Sequence, residues 1–425
     1  MIVHRGFRYR LRPTADQEAR FRQVAGVVRL VYNLALEQRR TWWRHYRRET
    51  GRALNGDTQC LELTKLRAVY DWVAAVSLTC QQQALRDLDG AFAKFFKGLT
   101  SFPTPRKKGV HDAFRFQGRE CRICRLNRSW GAVTIPKIGA VRFRWTRGIQ
   151  GKIKNVTVSR DDLGWHVSFA CAVEIDDIPI PVTPGAAIGI DRGVTHTFAF
   201  SDSAFGENGF SDLPMERLRL LERRARKHGR ALARCKRGSR RRDIAKRRLA
   251  RTMATAARIR HHWLHCQTTA LARHYSLIVI EDLKVRNMTA SAAGTIKEPG
   301  RNVRQKAGLN RVILEQGWRQ GETLFAYKLQ ARGGELIKVN AAYTSQACSR
   351  CGSISKSHRK SQAVFECSDC GVSINADTNA AINILKAGTG PAARAPVAAP
   401  LNRESRKEPQ VLSGKIPGIY ASGRC

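Results

Sequence analysis

The sequence predicts a multidomain protein of mixed α/β and β class: a β domain interrupted by helices, then an α/β domain carrying a small metal knuckle. Three observations predict it. Stretches of strand period at 7–13 and from about 112 to 180 flank a helical stretch, so the helices are an insertion into a sheet or barrel. After residue 184, short apolar strands alternate with helices. Near the C-terminal end, two Cys-x2-Cys pairs are separated by fifteen residues.

The elements follow in order. "FRYRLRP" (7–13) alternates apolar and basic residues, a strand with one wet basic face. Pro13 stops it, and Thr14 to Gln17 form a capping-box pattern that starts helical periodicity running to about residue 99. Within it, "TWWRHYRR" (41–48) reads either as a half-buried helix face or as a surface for bases and backbone. "SFPTPRKKG" (101–109) is a break with a basic end. The β stretch then includes a hairpin turning at Asp161–Gly164, and "IPIPVTPG" (178–185) is a linker. "AAIGID", "THTFAFSD", "SLIVIED" and "ELIKVN" read as strands, and residues 309–334 as one helix with a Gly-Gly stop. The tail from about 388, rich in Pro, Ala and Arg, is expected to be disordered.

Charge sets the partner class. The 425 residues hold 76 Lys plus Arg against 34 Asp plus Glu, a net +42. Such an excess repels itself unless a polyanion neutralises it, so nucleic acid is the expected partner. Residues 216–260 concentrate this excess, with 19 Lys or Arg against three acids. Too few acids are present for i,i+4 pairing, so a helical hairpin facing phosphates is expected, broken near Gly238, with Arg240, Arg241 and Arg242 among its contacts. "MIVHRGFRYRLRP" lacks the apolar core of a signal peptide, and no apolar run reaches the ~20 residues of a spanning helix. The expectation is a cytoplasmic protein without membrane contact. There, twelve cysteines read as metal ligands or buried thiols, not as a disulfide framework.

Cys348, Cys351, Cys367 and Cys370 have the spacing of a four-thiolate zinc ribbon, each pair followed by a glycine that permits a tight turn. An iron centre is the other reading of such a set. Cys121 and Cys124 have no second pair nearby and read as two thiols on a strand.

In so basic a chain, acids that follow buried apolar strands stand out. Asp191 ends "AIGI", and either Glu281 or Asp282 ends "LIVI"; a period of two does not choose between them. Asp377 opens "DTNAAINIL", a first helical turn where a carboxylate is also well placed as a cap. Each acid alone could be a cap or a surface charge. Together at one sheet edge they would repel, and divalent cations would offset that cost. Hard oxygen ligands describe Mg²⁺, and two such ions suit phosphodiester hydrolysis.

"GIDRGV", "IVIEDL", the paired Cys motifs and "NADTNAAINIL" occur in the order found in TnpB proteins of bacterial insertion sequences, relatives of the type V CRISPR effectors. "PGRNVRQKAGLNRVILEQGW" (299–318) resembles the family's segment after the second acid, and the similarity runs from "FRYRLRPTADQ" to about residue 387. The resemblance implies a RuvC nuclease core of RNase H-like fold at 184–342 and 373–387, with a zinc ribbon inserted at 343–372. It also implies a β-barrel wedge domain at 1–13 and 101–183, interrupted by a helical recognition domain at 14–100; residues 388–425 remain as tail. Carried over by position, the acids are Asp191, Glu281 and Asp377, holding Mg²⁺. Arg192 departs from the expected pattern by placing a cation beside Asp191. The implied activity is RNA-guided cleavage of double-stranded DNA, with a guide RNA from the transposon end and a short motif beside the target. A DNA-binding accessory or regulator of transposition, or a metal-dependent transposase, are the other readings.

Overall fold

The computed structural model describes residues 2–46, 49, 51, 54–174, 186–295 and 298–390. The linker at 178–185 and all but the first three residues of the expected tail lie outside them. The last helix continues to Thr389, just past the expected boundary at 387.

The N-terminal part is one antiparallel sheet with helices against it. Its strands are β1 (Ile2–Arg12), β2 (Ala113–Gln117), β3 (Arg122–Arg125), β4 (Trp130–Ile135), β5 (Gly139–Arg144), β6 (Lys152–Asp161) and β7 (Gly164–Glu174). They pair in the order β2-β6-β7-β1-β5-β4-β3. Among the described residues the hydrogen bonding does not return on itself, so where a barrel is expected the pairing is that of an open seven-stranded sheet. β1 bonds to β7 over residues 2–10 and switches to β5 at Leu11 and Arg12, joining the two wings of the sheet.

Between β1 and β2 run α1 (Ala15–His45), α2 (Gly56–Val69), α3 (Asp71–Ala74) and α4 (Leu78–Phe96). The capping box at Thr14 forms as the sequence predicts: Gln17 N–H donates to Thr14 Oγ1, and Thr14 N–H to Gln17 Oε1. Such a cap contributes about 1 kcal/mol. Sheet and helices share a single core, because Phe21 of α1 packs on Phe114 (5.7 Å) and Trp165 (5.0 Å). β1 turns Phe7, Tyr9 and Leu11 into that core and leaves Arg8, Arg10 and Arg12 exposed. Trp42 and Trp43 lie near the end of α1, with Trp43 against Phe96 at 6.3 Å.

The second part is a five-stranded sheet of β8 (Ala187–Asp191), β9 (Phe198–Phe200), β10 (Phe210–Ser211), β11 (Leu277–Glu281) and β12 (Glu335–Val339), in the order β10-β9-β8-β11-β12. β8, β11 and β12 are parallel; β9 and β10 are antiparallel. The basic stretch forms the expected hairpin of α5 (Met215–Arg234) and α6 (Arg240–His274), with Gly238 at φ +81° in the turn. Arg240 and Arg241 are exposed. Arg242 departs from expectation: it donates to the carbonyls of Leu232 (2.9 Å) and Cys235 (3.2 Å), satisfying the end of α5 instead of facing outward.

After β11 come α7 (Val285–Met288), α8 (Val303–Gln316) and α9 (Trp318–Gln330). The sequence predicts one helix over 309–334, but the structure has two. Gly317 takes φ +70°, which ends α8 and redirects α9 so that Trp318 is buried. The ribbon hairpin, β13 (Val364–Glu366) and β14 (Ser373–Asn375), leads into α10 (Ala376–Thr389).

Candidate active site and metal centre

β8 and β11 run parallel in a register that pairs Ile190 with Ile280, so the next residues, Asp191 and Glu281, stand side by side where the two strands end. α10 crosses this pair of strands at close range. A Cβ on Gly189 would lie 2.1 Å from the Ala381 carbonyl oxygen, and one on Gly388 would lie 2.4 Å from Val279 Cγ1. Two missing side chains therefore let the helix settle on the sheet and bring Asp377 to the strand ends. Asn375 caps α10, accepting from the N–H groups of Asp377 (2.9 Å) and Thr378 (3.4 Å). Since Asn375 takes the cap, the Asp377 carboxylate is left for the site.

Glu281 and Asp282 differ in burial. Glu281 is 8 % exposed and accepts from Thr344 Oγ1 at 2.6 Å. Asp282 faces solvent and pairs with Lys284 and Lys338. Burial, then Glu281, then Asp377 push the Asp191 carboxyl up to about 7. Glu281 and Asp377 are also raised, mainly by burial; Thr344 and Arg192 oppose the shift at Glu281, and Arg359 and His196 oppose it at Asp377. Arg192 is buried, and its guanidinium donates to the Glu281 carbonyl oxygen and approaches Glu322 at 3.9 Å. The cation beside Asp191 thus ties the end of β8 to the end of β11.

The four ribbon cysteines converge. Cys348 and Cys370 Sγ lie 3.6 Å apart, as do those of Cys351 and Cys367, and all four lie within 4.8 Å of one another. A tetrahedron of ~2.3 Å zinc–sulfur bonds has edges of about 3.8 Å, so this donor set fits zinc. Burial pushes the Cys348 thiol up, but N–H groups of Cys351 and Arg350 outweigh it and bring it down to about 7, whereas Cys351 and Cys370 are raised by the thiols around them, so Cys348 ionises before either. Among the described residues, the three acids do not close to 4.8 Å as the thiols do. Cys121 and Cys124 join no such cluster, and burial pushes Cys121 up to about 12.

Several residues that sequence reasoning missed connect the two centres. Asn379 and Asn383, one turn apart on α10, donate to the carbonyls of Ala347 and Thr344, and Asn379 Oδ1 accepts from Ser349 N–H. Arg359 of the ribbon lies 3.6 Å from Asp377, and Gln362 reaches Thr195 at 3.1 Å. The i,i+4 asparagines within an apolar helix were a readable signal; the roles of Thr344 and Arg359 had none.

Two basic clefts lie where β1 and the β6–β7 hairpin face α6. One, of about 1170 Å³, includes Arg10, Arg12, Arg160, Lys246, Arg247 and Arg251. The other, of about 1300 Å³, includes Arg8, Arg144, Arg147, His166, Arg258 and Arg273. No helix among the described residues is long and apolar enough to cross a membrane.

Fold and site together define a protein with carboxylates at the ends of parallel strands, a thiol cluster beside them and a basic surface. The "Probable transposase" profile of the OrfB/IS605 type matches residues 170–292, and the "Cas12f1-like, TNB domain" profile matches 318–384. A "Helix-turn-helix domain" profile of the same type matches 1–48, where the structure has β1 followed by α1. The chain is 37 % identical to "Putative RNA-guided DNA endonuclease InsQ" of Escherichia coli (strain K12), over 90 % of this chain and 92 % of that one. It is 33 % identical to "Putative RNA-guided DNA endonuclease" of Streptomyces pristinaespiralis, over 98 % and 99 %. The chain belongs to the TnpB family. The cryo-EM structure of a Cas12f1–sgRNA–target DNA complex shares the fold, with a TM-score of 0.57 at 15 % identity, covering 87 % of this chain and 83 % of that one.

Proposed function

We propose that this protein is an RNA-guided DNA endonuclease with a RuvC-type site. The observation that carries the reading is the placement of Asp191, Glu281 and Asp377 at the ends of β8 and β11, with Asp191 pushed up to about 7 by burial and then by the other two acids. The strand order β10-β9-β8-β11-β12, with β9 antiparallel, supports an RNase H-like core. The names of the relatives support the guided reaction.

The three acids would hold Mg²⁺, and two such ions, when bound, would supply an activated water and stabilise the leaving oxygen of a phosphodiester. The chain's own part is to orient the ligands. Thr344 fixes one oxygen of Glu281, Arg192 fixes the strand ends, and Asn375 frees Asp377 from capping. In the domain reading, the N-terminal sheet is the wedge, α1–α4 the recognition domain and the cysteine knuckle a structural zinc ribbon. The basic clefts would hold the backbone of a guide RNA from the transposon end and of its DNA target, while pairing reads the sequence.

The test is to purify the protein with its RNA, sequence that RNA, and offer a matching plasmid. RNA from one end of its own mobile element and Mg²⁺-dependent double-strand cleavage are expected. Glu281→Gln should slow cleavage about a thousandfold, because metal ligation supplies several kcal/mol of charge stabilisation, and should leave target binding intact. Binding without cleavage would favour a transposition regulator, and joining of DNA ends a transposase.

A further inference from the structure

Beside the three acids, two more ionisable side chains reach the same edge of the sheet. β10 and β8 run the same way, because β9 between them is antiparallel to both. Asp212, the residue after β10, therefore leaves the sheet at the edge where Asp191 and Glu281 stand. The loop 192–197 joins β8 to β9 across that edge and carries His196. It is tightly folded: a Cβ on Gly193 would lie 2.7 Å from the His196 carbonyl oxygen. It is also held from three sides. Gln362 of the ribbon donates to Thr195 Oγ1 at 3.1 Å, Thr197 Oγ1 donates to Gln316 of α8 at 2.9 Å, and Thr197 N–H donates to Asp212 Oδ1 at 2.8 Å. The carbonyl of Ala363, next to Gln362, accepts from Ala376 N–H at 3.0 Å, so the loop is tied to the residue beside Asp377.

Within this frame His196 Nδ1 lies 2.9 Å from Asp212 Oδ2. A carboxylate only accepts, so Nδ1 carries the proton and Nε2 of the neutral ring keeps its lone pair. Thr197 holds the other oxygen of Asp212, which keeps the carboxylate from turning away. The ring lies on Phe210, with centroids 4.3 Å apart and planes inclined by 32°. Among the described residues Nε2 has no hydrogen-bond partner, and the side chain is 33 % exposed. His196 favours the charged form of Asp377, so the ring stands within electrostatic reach of that acid.

The plainer reading is a clamp that closes the two-residue strand β10 on β9. That clamp is complete without the ring: Thr197 N–H holds Asp212, and Leu213 N–H donates to Thr197 Oγ1 at 3.2 Å. The imidazole adds nothing to it. A histidine oriented by a carboxylate, with its second nitrogen free beside a cluster of acids, is instead the arrangement of a general base.

We propose that His196 is a further catalytic residue, the base that takes a proton from the attacking water, with Asp212 as its positioning residue. This proposal rests on the endonuclease reading above. Nε2 accepts one proton as the water oxygen bonds to phosphorus. The bond from phosphorus to the leaving oxygen breaks, and that oxygen keeps the electron pair and takes a proton from solvent. His196 then releases its own proton to solvent. The charged groups around the ring are Asp212 and Asp377, with Arg359 at 3.6 Å from Asp377. The two carboxylates favour the imidazolium that the step creates.

The experiment compares single-turnover cleavage by the protein–RNA complexes of wild type, His196→Ala, Asp212→Asn and the double variant, at saturating Mg²⁺ and about pH 8, where free imidazole is neutral. His196→Ala should cleave about 10²–10³-fold more slowly, the usual worth of a positioned base. Its zinc content, target affinity and melting temperature should match wild type. Added imidazole should restore part of the lost rate, whereas 1,3-dimethylimidazolium, of similar shape but without a basic nitrogen, should restore none. Asp212→Asn should slow the wild-type background about tenfold or more and the His196→Ala background hardly at all, because a positioning residue acts only through the group it positions. Cleavage by His196→Ala at the wild-type rate, or equal recovery with imidazole and its dimethylated cation, overturns the proposal. Equal slowing by Asp212→Asn in both backgrounds makes Asp212 a clamp and removes it from the proposal. The endonuclease reading fails differently: the wild-type complex itself would leave target DNA whole, and the role of His196 would fall with it.

Discussion

The four cysteines and the three acids at the strand ends are two sets of candidate ligands of opposite character. Four soft thiols already stand within 4.8 Å of one another, held by the two glycine turns and the β13–β14 hairpin. Three hard carboxylates share the strand ends without closing on one another, and two of them are engaged by different parts of the chain. Thr344 takes Glu281, Arg359 takes Asp377, and Asp191 keeps its proton until about pH 7. The difference matches the tasks proposed for them. A structural ion should find its ligands assembled; catalytic ions need ligands that can rearrange as substrate arrives.

The largest effect should come from breaking the assembled set, because the open one is built upon it. Ser349, Ala347 and Thr344 are bonded to Asn379 and Asn383 of α10, the helix that carries Asp377. Cys367→Ser should therefore remove the zinc and displace Asp377, since metal binding and local folding are coupled. We expect zinc content near none and cleavage reduced at least about 100-fold. Unchanged zinc in this variant would refute the ligand assignment.

Gly189→Ala attacks the open set alone. The new Cβ would meet the Ala381 carbonyl and Leu385, pushing α10 away from β8. A shift of about 1 Å between Asp191 and Asp377 should slow cleavage about 10²-fold while zinc remains bound. Cleavage at the wild-type rate would mean that the acids tolerate far more slack than their packing indicates.

Legibility in the sequence followed the same division. The cysteines were readable because zinc ligation needs fixed spacing in one short segment. The three acids were readable as candidates because buried apolar strands announce their own ends, but choosing Glu281 over Asp282 needed burial. Period and capping patterns located β1, α1 and the basic hairpin. The helix break at Gly317 escaped because an apolar pattern continues through it, whereas the backbone turns there at φ +70°. The open pairing of the N-terminal sheet and the contacts of Thr344 and Arg359 join residues distant in sequence, and the inward turn of Arg242 depends on how the two helices of the hairpin meet. No local pattern encodes such contacts.

A smaller effect concerns protons. Asp191 is raised to about 7 in the folded protein from an ordinary value near 3.8. Between these values the folded state holds a proton that the unfolded state has lost. Its contribution to stability is therefore full below about pH 4 and fades as pH rises through 7. Metal-free Asp191→Asn, which cannot charge, should gain melting temperature relative to wild type at pH 8 and lose that advantage at pH 5. Added Mg²⁺ should stabilise wild type at pH 8 and not the variant. Equal differences at both pH values would show that burial and the neighbouring acids do not hold Asp191 protonated.

The smallest effect should come from the tight turn that follows the second cysteine pair. Gly371 adopts φ +68°, and a Cβ placed there meets nothing within 4 Å. Its N–H donates to the Cys367 carbonyl at 3.0 Å, a bond that alanine would keep. The only penalty for Gly371→Ala is the left-handed backbone, about 1 kcal/mol. Structural zinc binding supplies about 10–16 kcal/mol in comparable small sites. Losing one of these should weaken zinc about fivefold, visible in competition with a chelator, while a purified sample stays fully loaded. Cleavage should stay near wild type, because Asp377 is placed by α10 and its asparagines, not by this turn. If Gly371→Ala instead sheds zinc or loses cleavage as Cys367→Ser does, the thiols are not assembled in advance, and the contrast between the two sets disappears.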